Sequence, residues 1–373
     1  MKQDIVGLIY TGERADELQD LTRYRAAAAL PMAGRYRLID FILSNMIHSG
    51  IKNIGIIMQK NYHSLMDHLG SGREWNLHGK RSGLTILPPY VSHDKVGVYE
   101  GMLDALQTNQ AFLRRSVERN IAVSDSNVLY QVDYTDVVKK HLENKADITL
   151  LYTKDRDVRR NGRGRYLQVA NDLVTGIEFD PIIPHYENTF IGGFVARREV
   201  LIDLVDRAVA SGKHHFSRNL LAEMVAGGIF RVGAYECPGK VYAVDSVQSF
   251  FQTNMAFLNQ EFRDQAFNDE KPVWTKLRDE MPARYGDHAL VSNTLVADGC
   301  LIDGTVENSI LFRGVVVKPG AVIRNSIVMQ DAVISRNAEI ENCILDKQVT
   351  VREDVRLIAP KSYPLVVAKN LTI

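Results

Sequence analysis

The chain has 373 residues, 45 of them basic and 45 acidic, for a formal net charge of zero. That length accommodates two domains with sizeable cores. The charge balance argues against bulk attraction to nucleic acid or to a membrane surface, either of which needs concentrated positive charge.

The first element is a short apolar run, Ile5–Tyr10, read as a buried strand. It leads into Thr11-Gly12, a charged loop, and a helical segment beginning near Tyr36. Strand, loop and helix is how an α/β protein presents a phosphate-binding loop. This loop, Gly12-Glu13-Arg14-Ala15-Asp16-Glu17, carries one glycine and several acids where a phosphate cradle wants glycines and cations.

Further strands are expected at 53–58, 120–124, 148–152, 190–196 and 230–235. Helical periodicity marks 36–49, 101–114, 134–144, 199–210 and 247–258. In the first of these Ile39, Ile42, Leu43 and Met46 share a face, and Gly50 supplies the stop. Strands alternating with helices give an α/β domain, doubly wound on a mostly parallel sheet, over residues 1–258. Residues 259–287, charged and with Pro272 and Pro282, read as a linker anchored by Trp274, or as one more surface helix with a loop.

From 288 to 373 the period becomes six. Ile310, Val316, Val322, Val328, Ile334 and Ile340 form one register; Val315, Ala321, Ile327 and Val333 form another. Asn308, Gly314, Gly320, Asn325, Asp331 and Asn337 fill the intervals as turn residues. This pattern predicts a small left-handed parallel β-helix of hexapeptide repeats. The three cysteines (Cys237, Cys300, Cys343) lack metal-ligand spacing and fit buried thiols in a reducing cytoplasm. No signal peptide or membrane-spanning run is evident, so a cytoplasmic location is expected.

Several stretches resemble bacterial ADP-glucose pyrophosphorylase (glucose-1-phosphate adenylyltransferase): GRYRLIDFILSNMIHSGI from Gly34, GIIMQ from Gly55, GREWNL from Gly72, LTILPPY from Leu84 and NMAFL from Asn254. The resemblance spans nearly the whole chain. It implies the nucleotidyltransferase fold and adenylyl transfer from ATP to glucose 1-phosphate with Mg²⁺, giving ADP-glucose for glycogen synthesis. Such chemistry is catalysed mainly by positioning and by neutralising phosphate charge.

The charges that the family uses are missing. Glu17 stands at its phosphate-binding arginine, and Ala27 at the lysine of Lys-Pro-Ala. Asn127 and Ala243 stand at its two metal-binding aspartates. EFDPIIPHYEN offers no counterpart to the lysine of its Glu-Lys-Pro segment. The chain is therefore expected to lack catalytic residues and to be inactive alone, or nearly so. It resembles GlgD-type subunits, which the resemblance places in a heterotetramer with a catalytic GlgC-type subunit whose activity they raise. No cofactor is expected for this chain alone; Mg²⁺ is implied for the catalytic partner. The hexad domain and the segment around Trp274 are the expected contact surfaces.

Gly12, Gln59, Gly101 and Asp104 match nucleotide-pocket positions, with turn glycines and a helix-capping aspartate as the structural alternative. Arg25 and Arg37 match cationic positions near the family's effector region, where ATP or a sugar phosphate could bind. The alternative to an inactive subunit is an active nucleotidyltransferase with displaced ligands, Asp125 and Asp245. An acyltransferase, suggested by hexapeptide repeats, is set aside because no histidine follows His288. The pairs His63/His68 and His214/His215 read as surface histidines rather than metal ligands.

Overall fold

The computed structural model describes residues 4–12, 16–79, 82–89, 99–159, 163–267 and 270–373. Contacts divide the chain into two units that do not follow chain order: residues 1–13 with 41–243, and 14–40 with 244–373.

The first unit is built on a nine-stranded sheet. In chain order its elements begin with β1 (Ile5–Tyr10), helix α1 (Leu38–His48, which enters from the second unit), β2 (Ile54–Ile57), β3 (Leu84–Leu87) and α2 (Met102–Thr108). Next come β4 (Asn120–Asp125), β5 (Val128–Leu129), α3 (Tyr134–Glu143), β6 (Ile148–Thr153), β7 (Arg165–Ala170) and β8 (Leu173–Phe179). β9 (Asn188–Arg197), α4 (Arg198–Ala210), β10 (Val232–Glu236) and β11 (Tyr242–Ala243) complete it. The strand order is β3-β2-β1-β4-β9-β6-β10-β8-β7.

β1 is buried along its whole length, as a strand covered on both faces must be. It runs parallel to β2 and β4, with Tyr10 beside Asp125. On α1 the expected face, Ile39, Ile42, Leu43 and Met46, is fully buried. Gly50 ends the helix in the left-handed region (φ 75°), where the Ile51 N–H donates to Met46 O at 3.1 Å.

The parallel order is interrupted. β9 is antiparallel to both β4 and β6, and β7–β8 is an antiparallel hairpin. The hairpin turns on Asn171-Asp172, both at positive φ (50° and 61°), as a two-residue turn between right-twisted strands requires. Outside the main sheet, β5 and β11 form a two-stranded antiparallel sheet with Val128 opposite Ala243.

The second unit opens with a 3₁₀ turn, Gln19–Thr22, followed by a buried one, Ala27–Ala29, and the short pair Pro31–Met32 and Tyr36–Arg37. Helix α5 (Val247–Ala256) starts in a capping box in which Ser246 and Ser249 satisfy each other's backbone N–H groups. Helix α6 (Gln260–Ala266), capped by Asn259, supplies the surface helix that the sequence left open against a linker. From Arg284 onward three parallel ladders of five strands each wind into the expected left-handed parallel β-helix. All six expected turn residues adopt positive φ, from Asn325 at 44° to Gly320 at 76°.

The hexad register needs correction. The aliphatic column inside the coil is Leu311, Val317, Ile323, Val328, Ile334, Ile340, Leu345 and Val351, so the spacing runs six, six, five. Ladder partners such as Val316 and Val333 accordingly lie 17 residues apart. An unbroken six drifts against that coil: Val316 and Val322 are only half-buried, whereas Val328, Ile334 and Ile340 lie in the core. The short step falls at Asn308-Ser309, Asn325-Ser326 and Asn342-Cys343. There the Ser326 N–H donates to Ser309 Oγ and the Cys343 N–H to Ser326 Oγ, each at 3.1 Å.

Cys237, Cys300 and Cys343 are all free and buried, and burial pushes their thiols up to about 12, 11 and 11. Among the described residues no helix is long and apolar enough to cross a membrane.

Candidate functional site

The carboxyl ends of β1, β2 and β4 meet on one side of the first unit's sheet, the position at which open α/β sheets bind ligands. At the end of β1 the Thr11 N–H and hydroxyl both donate to Ile57 O, at 3.2 and 2.9 Å. That fixes Gly12 beside the end of β2. A Cβ on Gly12 would fall on the Tyr10 hydroxyl and 2.8 Å from Gln59 Nε2, so the close approach of these side chains requires glycine. Gln59 Nε2 donates to Tyr10 Oη at 3.3 Å, while its buried Oε1 has no hydrogen-bond partner. Gly12 and Gln59 are thus brought together; residues 13–15 of the loop lie outside the described residues.

Gly101 and Asp104 serve the start of α2. A Cβ on Gly101 would collide with His214 O, the same carbonyl that accepts from the Leu103 N–H at 3.0 Å. Buried Asp104 accepts from the Glu100 N–H at 3.4 Å. The first is close packing, and the second ties the residue before the helix to its first turn; the N-cap itself is Gly101, with no side-chain cap bond.

At the end of β4 lies the charged group of the site. Asp125 is buried, and its Oδ2 is 3.0 Å from Nη2 of Arg165 on β7. Arg165 Nη1 donates to Ser217 Oγ at 3.2 Å, and the guanidinium stacks 4.5 Å from the Phe190 ring centroid. Burial raises the Asp125 pKa above the usual carboxylate range, and the Arg165 charge and hydrogen bond oppose that rise. Gly192, at φ 84°, lets β9 pass against this carboxylate, where any Cβ would strike it. The serine before it, Ser124, bonds Tyr130 Oη at 2.8 Å, and Tyr130 bonds Tyr134 at 2.6 Å.

Two residues beyond Asp125, Asn127 is buried beside β5, whose Val128 pairs with Ala243 of β11. That pairing joins two positions 115 residues apart in sequence, Val128 and Ala243. No group of three or more His, Cys, Asp or Glu side chains that could hold a metal ion is found among the described residues.

Residues 6–225 match the family model described as nucleotidyl transferase, and 281–358 that of a GlmU-like C-terminal hexapeptide. The chain is 35% identical over 370 residues to the glycogen biosynthesis protein GlgD of Bacillus subtilis (strain 168), covering 98% of this chain and 96% of that one. It is 34% identical to the glucose-1-phosphate adenylyltransferase of Thermomicrobium roseum, covering 93% and 82% of the two chains. It is 28% identical to that of Clostridium novyi (strain NT), covering 87% and 85%.

The chain belongs to the glucose-1-phosphate adenylyltransferase and GlgD family. Asn127 and Ala243, the two positions that match the family's metal-binding aspartates, offer no carboxylate. The residues present do not fit a Mg²⁺ ion held in the family's manner, because that ion takes hard, anionic oxygen ligands.

The displaced-ligand candidates are engaged elsewhere. Asp125 is paired with Arg165. Asp245, in the second unit, accepts from Ser249 Oγ at 3.1 Å through Oδ1 at the start of α5. Ala27 lies in the fully packed 3₁₀ turn, and Glu17 bridges by its backbone to Ser246, with the Val247 N–H donating to Glu17 O at 3.0 Å.

Arg25 is not free for an effector. Its Nη2 makes two bonds to Asp346, at 2.7 and 2.9 Å, with both side chains buried. Arg37 lies by Lys347, where burial, then Arg37 and Arg25, lower the lysine to about 7. The histidines also divide: His63 is exposed, but His68 is buried with its ring edge-on to Trp75 at 5.6 Å, so it is a core residue.

Arg165, Ser217 and Asp346 escaped the sequence reading. Their partners lie 40, 52 and 321 residues away in sequence, and no local pattern reports such pairs.

Proposed function

We propose that this chain is a catalytically deficient subunit of glucose-1-phosphate adenylyltransferase, which serves ADP-glucose synthesis for glycogen by assembling with a catalytic GlgC-type subunit and activating it. The observation that carries this reading is that the two positions matching the family's metal-binding aspartates hold Asn127 and Ala243, while Asp125, the acid nearest in sequence to the first of them, is ion-paired with Arg165. Nucleotidyl transfer depends on a cation that steadies the phosphates as the bond changes, and this chain has no acid at either of those two positions to hold one. Mg²⁺ and ATP would then act on the partner subunit.

A subunit without chemistry changes its partner's rate only through an interface that favours the active conformation. Supporting such an interface, Leu277, Met281, Tyr285, Leu290 and Leu301 are exposed at and around the first coil of the β-helix. Exposed apolar residues gathered in one region mark contact surfaces.

The test is to purify the chain, mix it with a GlgC-type subunit, and measure both mass in solution and the rate of ADP-glucose formation. The reading expects a hetero-oligomer that is faster than the catalytic subunit alone. A monomer of concentration-independent mass that leaves the rate unchanged would contradict it.

A further inference from the structure

Arg165 makes contacts that nothing so far explains. A guanidinium on a sheet strand would ordinarily reach solvent, where its charge is hydrated. Here three separate elements hold this one, whose side chain is 30% exposed. Asp125 from β4 takes Nη2 at 3.0 Å, Ser217 takes Nη1 at 3.2 Å, and the Phe190 ring from β9 lies 4.5 Å from the guanidinium carbon. Gly192 completes the arrangement, because a side chain there would displace the Asp125 carboxylate.

We propose that Arg165 is a built-in counter-cation: its guanidinium stands in for a metal ion at the end of β4 and denies that position to a divalent cation. This inference rests on the reading of the chain as catalytically deficient and deepens it. On that view, the loss of carboxylates at Asn127 and Ala243 is only half of the change. The one acid left at the strand end is neutralised from within, so restoring the two aspartates is insufficient while Arg165 remains.

The experiment is Mn²⁺ binding, followed by electron paramagnetic resonance, on four proteins: wild type, R165M, N127D/A243D and N127D/A243D/R165M. We expect weak or no binding by the first three and at least tenfold tighter binding by the triple variant. Equal binding by N127D/A243D and the triple variant would overturn the proposal, as would a folded triple variant that binds no Mn²⁺. Should the triple variant fail to fold, thermal melts of R165M, D125N and D125N/R165M decide. R165M is expected to lower Tm by about 5 °C, and D125N/R165M to recover at least half of that. Independent, additive effects would overturn the pairing on which the proposal stands. ADP-glucose formation by the wild-type chain would instead overturn the functional reading, and Mn²⁺ binding by these variants does not depend on that result.

Discussion

Arg25 and Asp346, 321 residues apart in sequence, form a bidentate ion pair at 2.7 and 2.9 Å, with both side chains almost wholly buried. Arg25 Nη1 also donates to Leu21 O at 3.4 Å and faces Met329 Sδ at 4.0 Å. This pair explains why residues 14–40 belong with the β-helix rather than with the strand that precedes them.

Breaking the pair from one side leaves an uncompensated buried charge. R25M or D346L alone is expected to cost about 3–5 kcal/mol, whereas R25M/D346L together recovers most of it. Urea unfolding of the four proteins checks this. A single-variant cost under about 1 kcal/mol would place the pair among weakly contributing surface bridges.

His141 predicts a pH dependence of stability. Its Nδ1 bonds Thr149 Oγ1 at 2.9 Å, its Nε2 has no partner, and burial first, then Arg197, lowers its pKa to about 4. The unfolded chain takes up a proton near 6.5 and the folded chain only near 4. Stability from this group is therefore full above about 6.5 and falls as pH drops toward 4. The loss is up to about 3 kcal/mol, and below 4 it levels off. Melting curves of wild type and H141L between pH 7 and 4 should diverge over that window, with the variant showing the flatter profile.

The short corner of the β-helix depends on stacked hydroxyls. Ser326 is fully buried; it receives the Cys343 N–H at 3.1 Å and donates to Arg324 O at 2.7 Å. S326V removes both bonds and leaves the Cys343 amide unsatisfied, for an expected cost of about 1–3 kcal/mol. S326C, whose thiol can still donate to Arg324 O as Cys343 Sγ donates to Glu341 O one coil on at 3.2 Å, should cost less. The ranking of the two variants by urea midpoint tests the corner.

What could be read from the sequence was what local spacing controls. β1 and the buried face of α1 follow from runs of four to six residues, and the turn asparagines of the β-helix follow from their repetition. The five-residue step was hidden because Ile310, Val316 and Val322 are aliphatic too, so an unbroken six looked complete where the coil had shifted by one. The β7–β8 hairpin was missed because its turn is Asn171-Asp172 rather than a glycine pair. At the site, the absent charges were legible residue by residue. The Arg165–Asp125 pair was not, since only the folded sheet brings β7 to the end of β4.

The most direct measurement is ADP-glucose formation by this chain alone, supplied with ATP, glucose 1-phosphate and Mg²⁺, against the same assay with a GlgC-type subunit added. Removing even one preorganised charge from such a site costs roughly 10²–10³ in rate, and this chain has lost several. The account predicts no product above the enzyme-free blank from the lone chain. Turnover by the lone chain comparable to that of the mixture would contradict it.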